Sequence, residues 1–395
     1  MAEITCQICG KTAHSIQLHL RDEHPDVSLD QYKADYPDAP LLSPEAMELV
    51  KKRKAQQSGA RIDNLATAQI AGGGVKTVEL HKLFGVPAKS AMAANGNAIQ
   101  IKVSPKPADA DSAAMVPEHD DAYIYDVALL KSVLMALGEN IPLYLYGPPG
   151  VGKSSMPRNV CAKTNRPLVR VQHTPNTEES HIVGEKSVRN VPCEKSGELR
   201  SETYFELGPL PLAMINGWVY MADEYDRAWP SVLSVYQAVL EGQPLYIKEA
   251  PPELRMIKPH PDFRFIATGN TNGSGDETGR MNGTVEQDAA TIERFGIVEY
   301  VDYMDPKREA LMLRQQVGLR ADDAERLVRF ASAIRQSYPS TISLTIGNRV
   351  LINIAKLSLM RGNFLEGVRQ AFANRLPDSE KTAALEVAQR ELGAA

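Results

Sequence analysis

The sequence has 395 residues, 43% of them hydrophobic and 24% charged, with a formal net charge of -5. Such a chain can bury a real core and is long enough for roughly two to three domains. A mean hydropathy of -0.28 and the lack of a long uncharged apolar run exclude a membrane span. The first residues show no basic region followed by an apolar stretch, so a cytoplasmic protein is expected. Four cysteines are too few for a disulfide scaffold, and the mild acidity argues against attachment to nucleic acid by bulk charge.

Residues 1–45 read as a small Cys/His unit. Cys6-x₂-Cys9-x₉-His19-x₄-His24 offers two thiolates on a knuckle and two imidazoles about one helical turn apart, a tetrahedral Zn²⁺ set. His14 competes with His19 or His24 as a ligand. Zinc would explain how so short a unit folds, since it can supply ~10–16 kcal/mol of apparent folding free energy. Residues 1–60 carry seven Lys/Arg against nine Asp/Glu, and only Lys51–Lys54 form a basic run. Contact with nucleic acid is therefore possible through this unit but is not favoured over protein docking. Residues 46–117 read as linker, with Gly72-Gly73-Gly74 and Pro105-Lys106-Pro107, together with a family-like N-terminal segment.

From about residue 118 to 304, short apolar runs alternate with helical ones, as a parallel α/β sheet requires. The strand candidates are Ile141–Tyr146, Leu168–Val171, Trp218–Ala222, Phe263–Thr268 and Gly296–Tyr303. Residues 305–395 turn helical. Leu327, Phe330, Ala331 and Ile334 recur at helical spacing, as do Val350, Ile354 and Leu357. Of the remaining cysteines, Cys161 reads as core and Cys193 as a loop residue.

Gly147-Pro148-Pro149-Gly150-Val151-Gly152-Lys153-Ser154 follows the first strand and fits G-x-x-x-x-G-K-[ST]; Ser155 continues it into a helix. Its glycines let backbone N–H groups wrap a phosphate, and the helix that follows adds its N-terminal dipole. Lys153 would reach the β- and γ-phosphates of ATP, and Ser154 would ligate Mg²⁺. The third strand ends in Asp223-Glu224. Asp223 would hold the Mg²⁺ shell through water, and Glu224 would orient and polarise the attacking water. The fourth strand ends at Asn270, which would fix that water near the γ-phosphate. Arg294, before the last strand, could reach a neighbouring subunit's γ-phosphate, a contribution typically worth ~10³–10⁵ in rate.

These residues, in this order, resemble the AAA+ ATPases, and more narrowly the MoxR group and the ATPase subunit of the aerobic cobaltochelatase (the CobS type). The resemblance rests on Gly147–Ser154, Val219–Arg227, Pro259–Asn270, Gly275–Gly279 and Glu293–Phe295. Upstream, Leu83–Val86, Val116–Glu118 and Asp121–Tyr123 add to it. It implies a P-loop core with a five-stranded parallel sheet, a C-terminal helical lid and a ring, usually hexameric, with ATP bound between neighbours. It makes Asn270 the first sensor, Arg294 the finger offered in trans and Arg349 the lid arginine, with Arg335 or Arg361 as alternatives. It also implies two inserts, His181–Leu207 and a hairpin at Leu245–Met256. The segment C-Q-I-C-G-K followed by H-L-R-D-E-H resembles the Ros/MucR-type zinc finger.

The expected function is an Mg²⁺-dependent ATPase that remodels or activates a protein partner, with a von Willebrand A (CobT-like) subunit as a candidate. A true cobaltochelatase subunit, driving cobalt insertion into a corrin, is the close alternative. A zinc-finger DNA-binding regulator is a second one, although the G-A-F-T-G-A loop of sigma-54 activators is absent. A scaffold that binds ATP without hydrolysis conflicts with the intact Asp223-Glu224 pair and Arg294.

Overall fold

The computed structural model describes residues 4–13, 16–37, 39–41, 43–44, 74–192, 199–276 and 283–393. His14, Lys51–Lys54, Gly72, Gly73 and Cys193 lie outside the described residues. The chain divides into two compact units, residues 1–68 and 69–395.

The larger unit is built on five strands: β1 (Leu143–Tyr146), β2 (Leu168–Gln172), β3 (Val219–Asp223), β4 (Arg264–Gly269) and β5 (Ile297–Tyr300). They lie in the order β5-β1-β4-β3-β2, and every pair is parallel. This is the expected P-loop sheet. The last strand is shorter than the apolar run Gly296–Tyr303. Its ladder stops at Tyr146, because β1 gives way there to the glycine loop, although Val301 N–H still donates to the Tyr146 carbonyl at 2.7 Å.

Period-two alternation sends successive strand residues into two different cores. Leu143, Leu145, Val219, Met221 and Ile266 face one layer, against Leu130 and Val133 of α1 (Val127–Glu139) and Met156 and Val160 of α2 (Ser155–Thr164). Cys161 is buried there too. Tyr144, Tyr220, Ala222, Phe265 and Ala267 face the other layer, against Leu210 and Met214 of α3 (Pro209–Asn216) and the aromatic rings of Tyr225, Tyr236 and Phe295. The three inner strands are therefore buried on both faces, whereas edge strands β2 and β5 alternate in burial. A short antiparallel pair, Lys76–Glu79 with Gln100–Val103, carries Leu80, Phe84 and Ile101 into the first layer.

Two excursions leave the sheet. The helix Glu179–Val183 leads into an antiparallel hairpin, Gly184–Pro192 with Leu199–Leu207. Later, Leu245–Tyr246 pairs with Met256–Ile257. Both fall on the inserts expected from sequence.

Five helices follow: α4 (Pro306–Val317), α5 (Ala321–Ser337), α6 (Asn348–Arg361), α7 (Phe364–Ala371) and α8 (Asp378–Leu392). Pro306 at the first turn and an Asp305 cap start α4, and left-handed Gly318 ends it. Leu327, Phe330, Ala331 and Ile334 of α5 meet Leu351, Ile354, Val368 and Phe372 in a core of their own. Arg335 binds the fully buried Glu309 with two nitrogens, at 2.7 and 2.9 Å. No helix among the described residues is long and apolar enough to cross a membrane.

Candidate functional site

The C-terminal ends of β1, β3 and β4 open into a cavity of about 480 Å³ that the helices α4 and α6 close from above, where open α/β sheets bind ligands. The glycine loop between β1 and α2 forms one wall. Gly147, at φ 144, lies so close to the Val301 carbonyl that any Cβ would strike it, so only glycine lets the chain pass here. Lys153 is 8% exposed, and its Nζ donates to the carbonyls of Gly147 (2.7 Å) and Pro148 (2.9 Å) and to Asn270 Oδ1 (3.1 Å). Burial is the chief reason its pKa falls to about 8; Asp226, Asp223 and Glu224 pull it back up, and Arg349 pushes it further down.

At the end of β3, Asp223 is almost fully buried. Its Oδ1 accepts from Ser154 Oγ at 2.6 Å and from Thr268 Oγ1, and its Oδ2 accepts from Arg170. Burial alone would raise this carboxyl, but the bonds from Ser154, Thr268 and Arg170 outweigh it and hold the pKa below its ordinary value. The Ser154 hydroxyl and the Asp223 carboxylate are hard oxygen donors that meet in the cavity, a set that suits Mg²⁺. Glu224 follows in the left-handed region at φ 53 and ψ 43, an uncommon conformation for a residue with a side chain. Its carboxylate bonds Arg227 at 2.7 Å.

Asn270 is set by a residue that sequence reasoning missed. Asp226 is fully buried, and its Oδ2 accepts the N–H groups of Asn270 (2.7 Å) and Thr271 (2.8 Å) and the Thr271 hydroxyl (3.0 Å). It thus fixes the turn that presents the Asn270 side chain to Lys153. Burial raises the Asp226 pKa, against those donors. Arg170 and Thr268 were also missed. One signal for Thr268 was its place two residues before Asn270; Arg170, in the middle of an edge strand, left none.

Arg349 joins the cavity at the first turn of α6, beside a direct link between loop and lid in which Asn348 N–H donates to the Gly150 carbonyl at 2.9 Å. Arg335, on α5, is committed to Glu309 and, with a further bond, to the Ile346 carbonyl (2.8 Å); Arg361 lies in the last turn of α6, far from Arg349. Neither lines the cavity. Tyr123, Ile124, Met304, Met312 and Ile352 supply apolar side chains to its lining, a contribution that sequence reasoning did not assign. Arg294 stands apart from the cavity. Its Nε bonds Glu241 at 2.7 Å and it caps the Ala290 carbonyl at 2.7 Å.

Residues 142–295 match the AAA domain of the dynein-related subfamily, and residues 309–389 match the CbbQ/NirQ/NorQ C-terminal family. The aerobic cobaltochelatase subunit CobS of a Sinorhizobium species is 30% identical over 295 residues, covering 73% of this chain and 86% of that protein. The chain belongs to the CobS family of AAA+ ATPases. Like other members of that group, it hydrolyses ATP. Protein NorQ of Paracoccus denitrificans is 23% identical over 268 residues, 68% of this chain and 89% of that protein. The gas vesicle ATPase GvpN of Haloferax mediterranei is 27% identical over 227 residues, 54% of this chain and 61% of that protein.

This CobS-family chain also carries the Cys/His unit. Two-residue strands, Ile4–Thr5 and Thr12–Ala13, pair antiparallel and bracket the turn that bears Cys9, with Cys6 at its start. The helix Ile16–Glu23 carries His19 and leads to His24. One donor atom from each of Cys6, Cys9, His19 and His24 lies within 4.8 Å of the others. Cys9 Sγ is 3.2 Å from His19 Nε2, and His24 Nε2 is buried with no hydrogen-bond partner. Two sulfurs and two imidazoles converging on one point suit Zn²⁺.

Proposed function

We propose that this chain is the motor of a ring-shaped assembly, coupling ATP hydrolysis to remodelling or activation of a protein partner. The observation that carries the reading is the division of the catalytic set. Lys153, Ser154, Asp223, Glu224, Asn270 and Arg349 serve one cavity, whereas Arg294 lies outside it and so would act on a neighbour's nucleotide. In this reading the glycine loop, from Gly147 to Ser154 with Ser155 opening the helix, binds the phosphates, and Ser154 and Asp223 hold Mg²⁺. When bound, that ion neutralises charge on the phosphate oxygens. Glu224, turned toward the cavity by its left-handed backbone, orients a water whose oxygen attacks the γ-phosphorus. The bond from phosphorus to the bridging oxygen breaks, releasing ADP and phosphate, and Glu224 accepts the water's proton. Asn270 and Lys153 steady the γ-phosphate, and Arg349 reports its presence to the helical lid. Residues 118–304 would thus form the hydrolytic core and residues 305–395 the lid that moves with it.

The partner follows from likeness. Similarity to CobS over most of that protein's length supports a role as the ATPase subunit of an aerobic cobaltochelatase-type complex, with a von Willebrand A subunit as intermediary. Similarity to NorQ and GvpN supports the broader reading, in which the same motor serves different clients. A second reading concerns the N-terminal unit. The partnerless His24 Nε2 beside Cys6, Cys9 and His19 supports a structural Zn²⁺ site, and the mixed charge of that unit favours docking to protein over nucleic acid.

Capture of clients by a Glu224→Gln variant tests the function. The tagged protein should bind ATP without turning it over and hold its partners in native extract. Recovery of a von Willebrand A protein with a chelatase-like large subunit would establish cobalt insertion, and another protein client would establish the broader motor. Nuclease-sensitive DNA without a protein client would contradict both.

A further inference from the structure

Three hydrogen bonds and an ion-pair contact converge on the carboxylate of Asp223. Ser154 Oγ, at 2.6 Å, and Thr268 Oγ1 donate to Oδ1. The Nε of Arg170 donates to Oδ2 at 2.6 Å, and one of its terminal nitrogens is in ion-pair contact with the same oxygen. An ionised carboxylate offers about four lone-pair sites, and these contacts crowd both oxygens. A water in the shell of a divalent cation needs one of those sites. Ser154 can keep its bond, because its proton goes to Asp223 while its oxygen still has a lone pair for the cation. Thr268 is 1% exposed and is locked in β4, between β1 and β3. Arg170 differs on each count. It lies on edge strand β2, its side chain is 44% exposed against 4% for Asp223, and it lines the cavity. It is the donor best able to leave, and its charge is the one that a dication repels.

We propose that Arg170 is a positioning residue that competes with the divalent cation for Asp223 and thereby sets the metal affinity of the nucleotide complex. The inference rests on the reading of Asp223 as the magnesium-shell carboxylate. Its consequence is an exchange of charge: the buried carboxylate is compensated by a guanidinium before the cation arrives and by the cation afterwards, so it is never left unpaired. Metal loading and release of Arg170 become one step, which couples edge strand β2 to the state of the site.

Mn²⁺ titrated into the full-length protein saturated with a non-hydrolysable ATP analogue, with free Mn²⁺ read by electron paramagnetic resonance, tests this without turnover. Arg170→Gln should bind Mn²⁺ about tenfold more tightly than the unaltered protein, equivalent to roughly 1.4 kcal/mol. Arg170→Lys, which keeps the charge but offers a different donor geometry, should fall between the two, and it carries the test if the glutamine variant misfolds. Asp223→Asn should lose most Mn²⁺ affinity in either background. Unchanged or weaker Mn²⁺ binding in a folded Arg170 variant overturns the competition while leaving the metal site standing. Mn²⁺ binding untouched by Asp223→Asn overturns the metal-site reading, and this inference with it.

Discussion

The two units of this chain differ in what organises them. The ATPase body sends alternate strand residues into two apolar layers and adds a third core in its helical lid. Among the described residues, the apolar core of the N-terminal unit consists of Ile4, Cys6, Ile16, Leu20 and Tyr32, with Val27, Ala39 and Leu41 packed against them. Burial of apolar surface offsets ordering entropy in proportion to its area, so the large unit can stand on its own packing. The described core of the small one offers much less. The proposed Zn²⁺ site on its four converging donors would add a contribution in another form, a set of metal bonds. On that reading the chain combines a unit that folds by burial with one that folds by coordination.

Three experiments would break or sharpen that contrast. The largest effect is expected from metal removal. Stripping Zn²⁺ with a chelator selective over Mg²⁺ should withdraw about 10–16 kcal/mol of apparent folding free energy. Amide exchange should then lose protection in residues 4–41 and keep it in β1, β3 and β4. Protection retained in the small unit of a metal-free protein would mean that packing alone suffices there. Next in size is a cavity in the lid. Phe330 is fully buried, so Phe330→Ala should cost about 3–5 kcal/mol, read as a lower midpoint in denaturant unfolding. The zinc content of the chain should be unchanged, and a loss of zinc would show that the two units are not energetically separate.

The smallest effect is in the pH dependence of ATP binding. Lys153 carries a pKa of about 8 and is charged below it. Phosphate favours the charged form, so ATP binding takes up a proton as the pH rises past that value. Affinity should fall above about pH 8, by no more than tenfold per unit. Titration calorimetry in two buffers of different ionisation enthalpy would show the proton uptake. Lys153→Ala should remove both the uptake and most of the affinity, and a pH-independent affinity up to pH 10 would contradict the assignment.

Much of the site was legible in the sequence because it uses local grammar. Gly147–Ser154 is a contiguous loop after a strand, and Asp223, Glu224 and Asn270 each end an apolar run. The five strands were legible for the same reason, since burial on both faces leaves short apolar segments, although their ends shifted by one to three residues where pairing stopped. What escaped depends on distance in space. Arg170 meets Asp223 across a strand boundary, 53 residues away, and Asp226 organises a turn 44 residues on. Neither lies in a spacing that a motif could express. The same holds for the apolar part of the cavity lining, which draws Tyr123 and Ile124 together with Met304, Met312 and Ile352. The placement of Arg335, Arg349 and Arg361 likewise depends on the fold: Arg349 and Arg361 sit at opposite ends of α6, of which only the N-terminal part lines the cavity, and Arg335 on α5 is held by Glu309.

The most direct test of the central claim, that a working site is shared between neighbouring subunits, is complementation between two inactive variants. In the proposed reading, Arg294→Ala removes the group offered to a neighbour, and Glu224→Gln removes the group that activates water in the subunit's own cavity. Each should be nearly inactive alone. Mixed in varying ratio, with mixed assemblies verified by native mass spectrometry, they should regain ATPase activity, because some interfaces then pair an intact Glu224 with an intact Arg294. Mixed assemblies that stay inactive at every ratio would contradict the shared site.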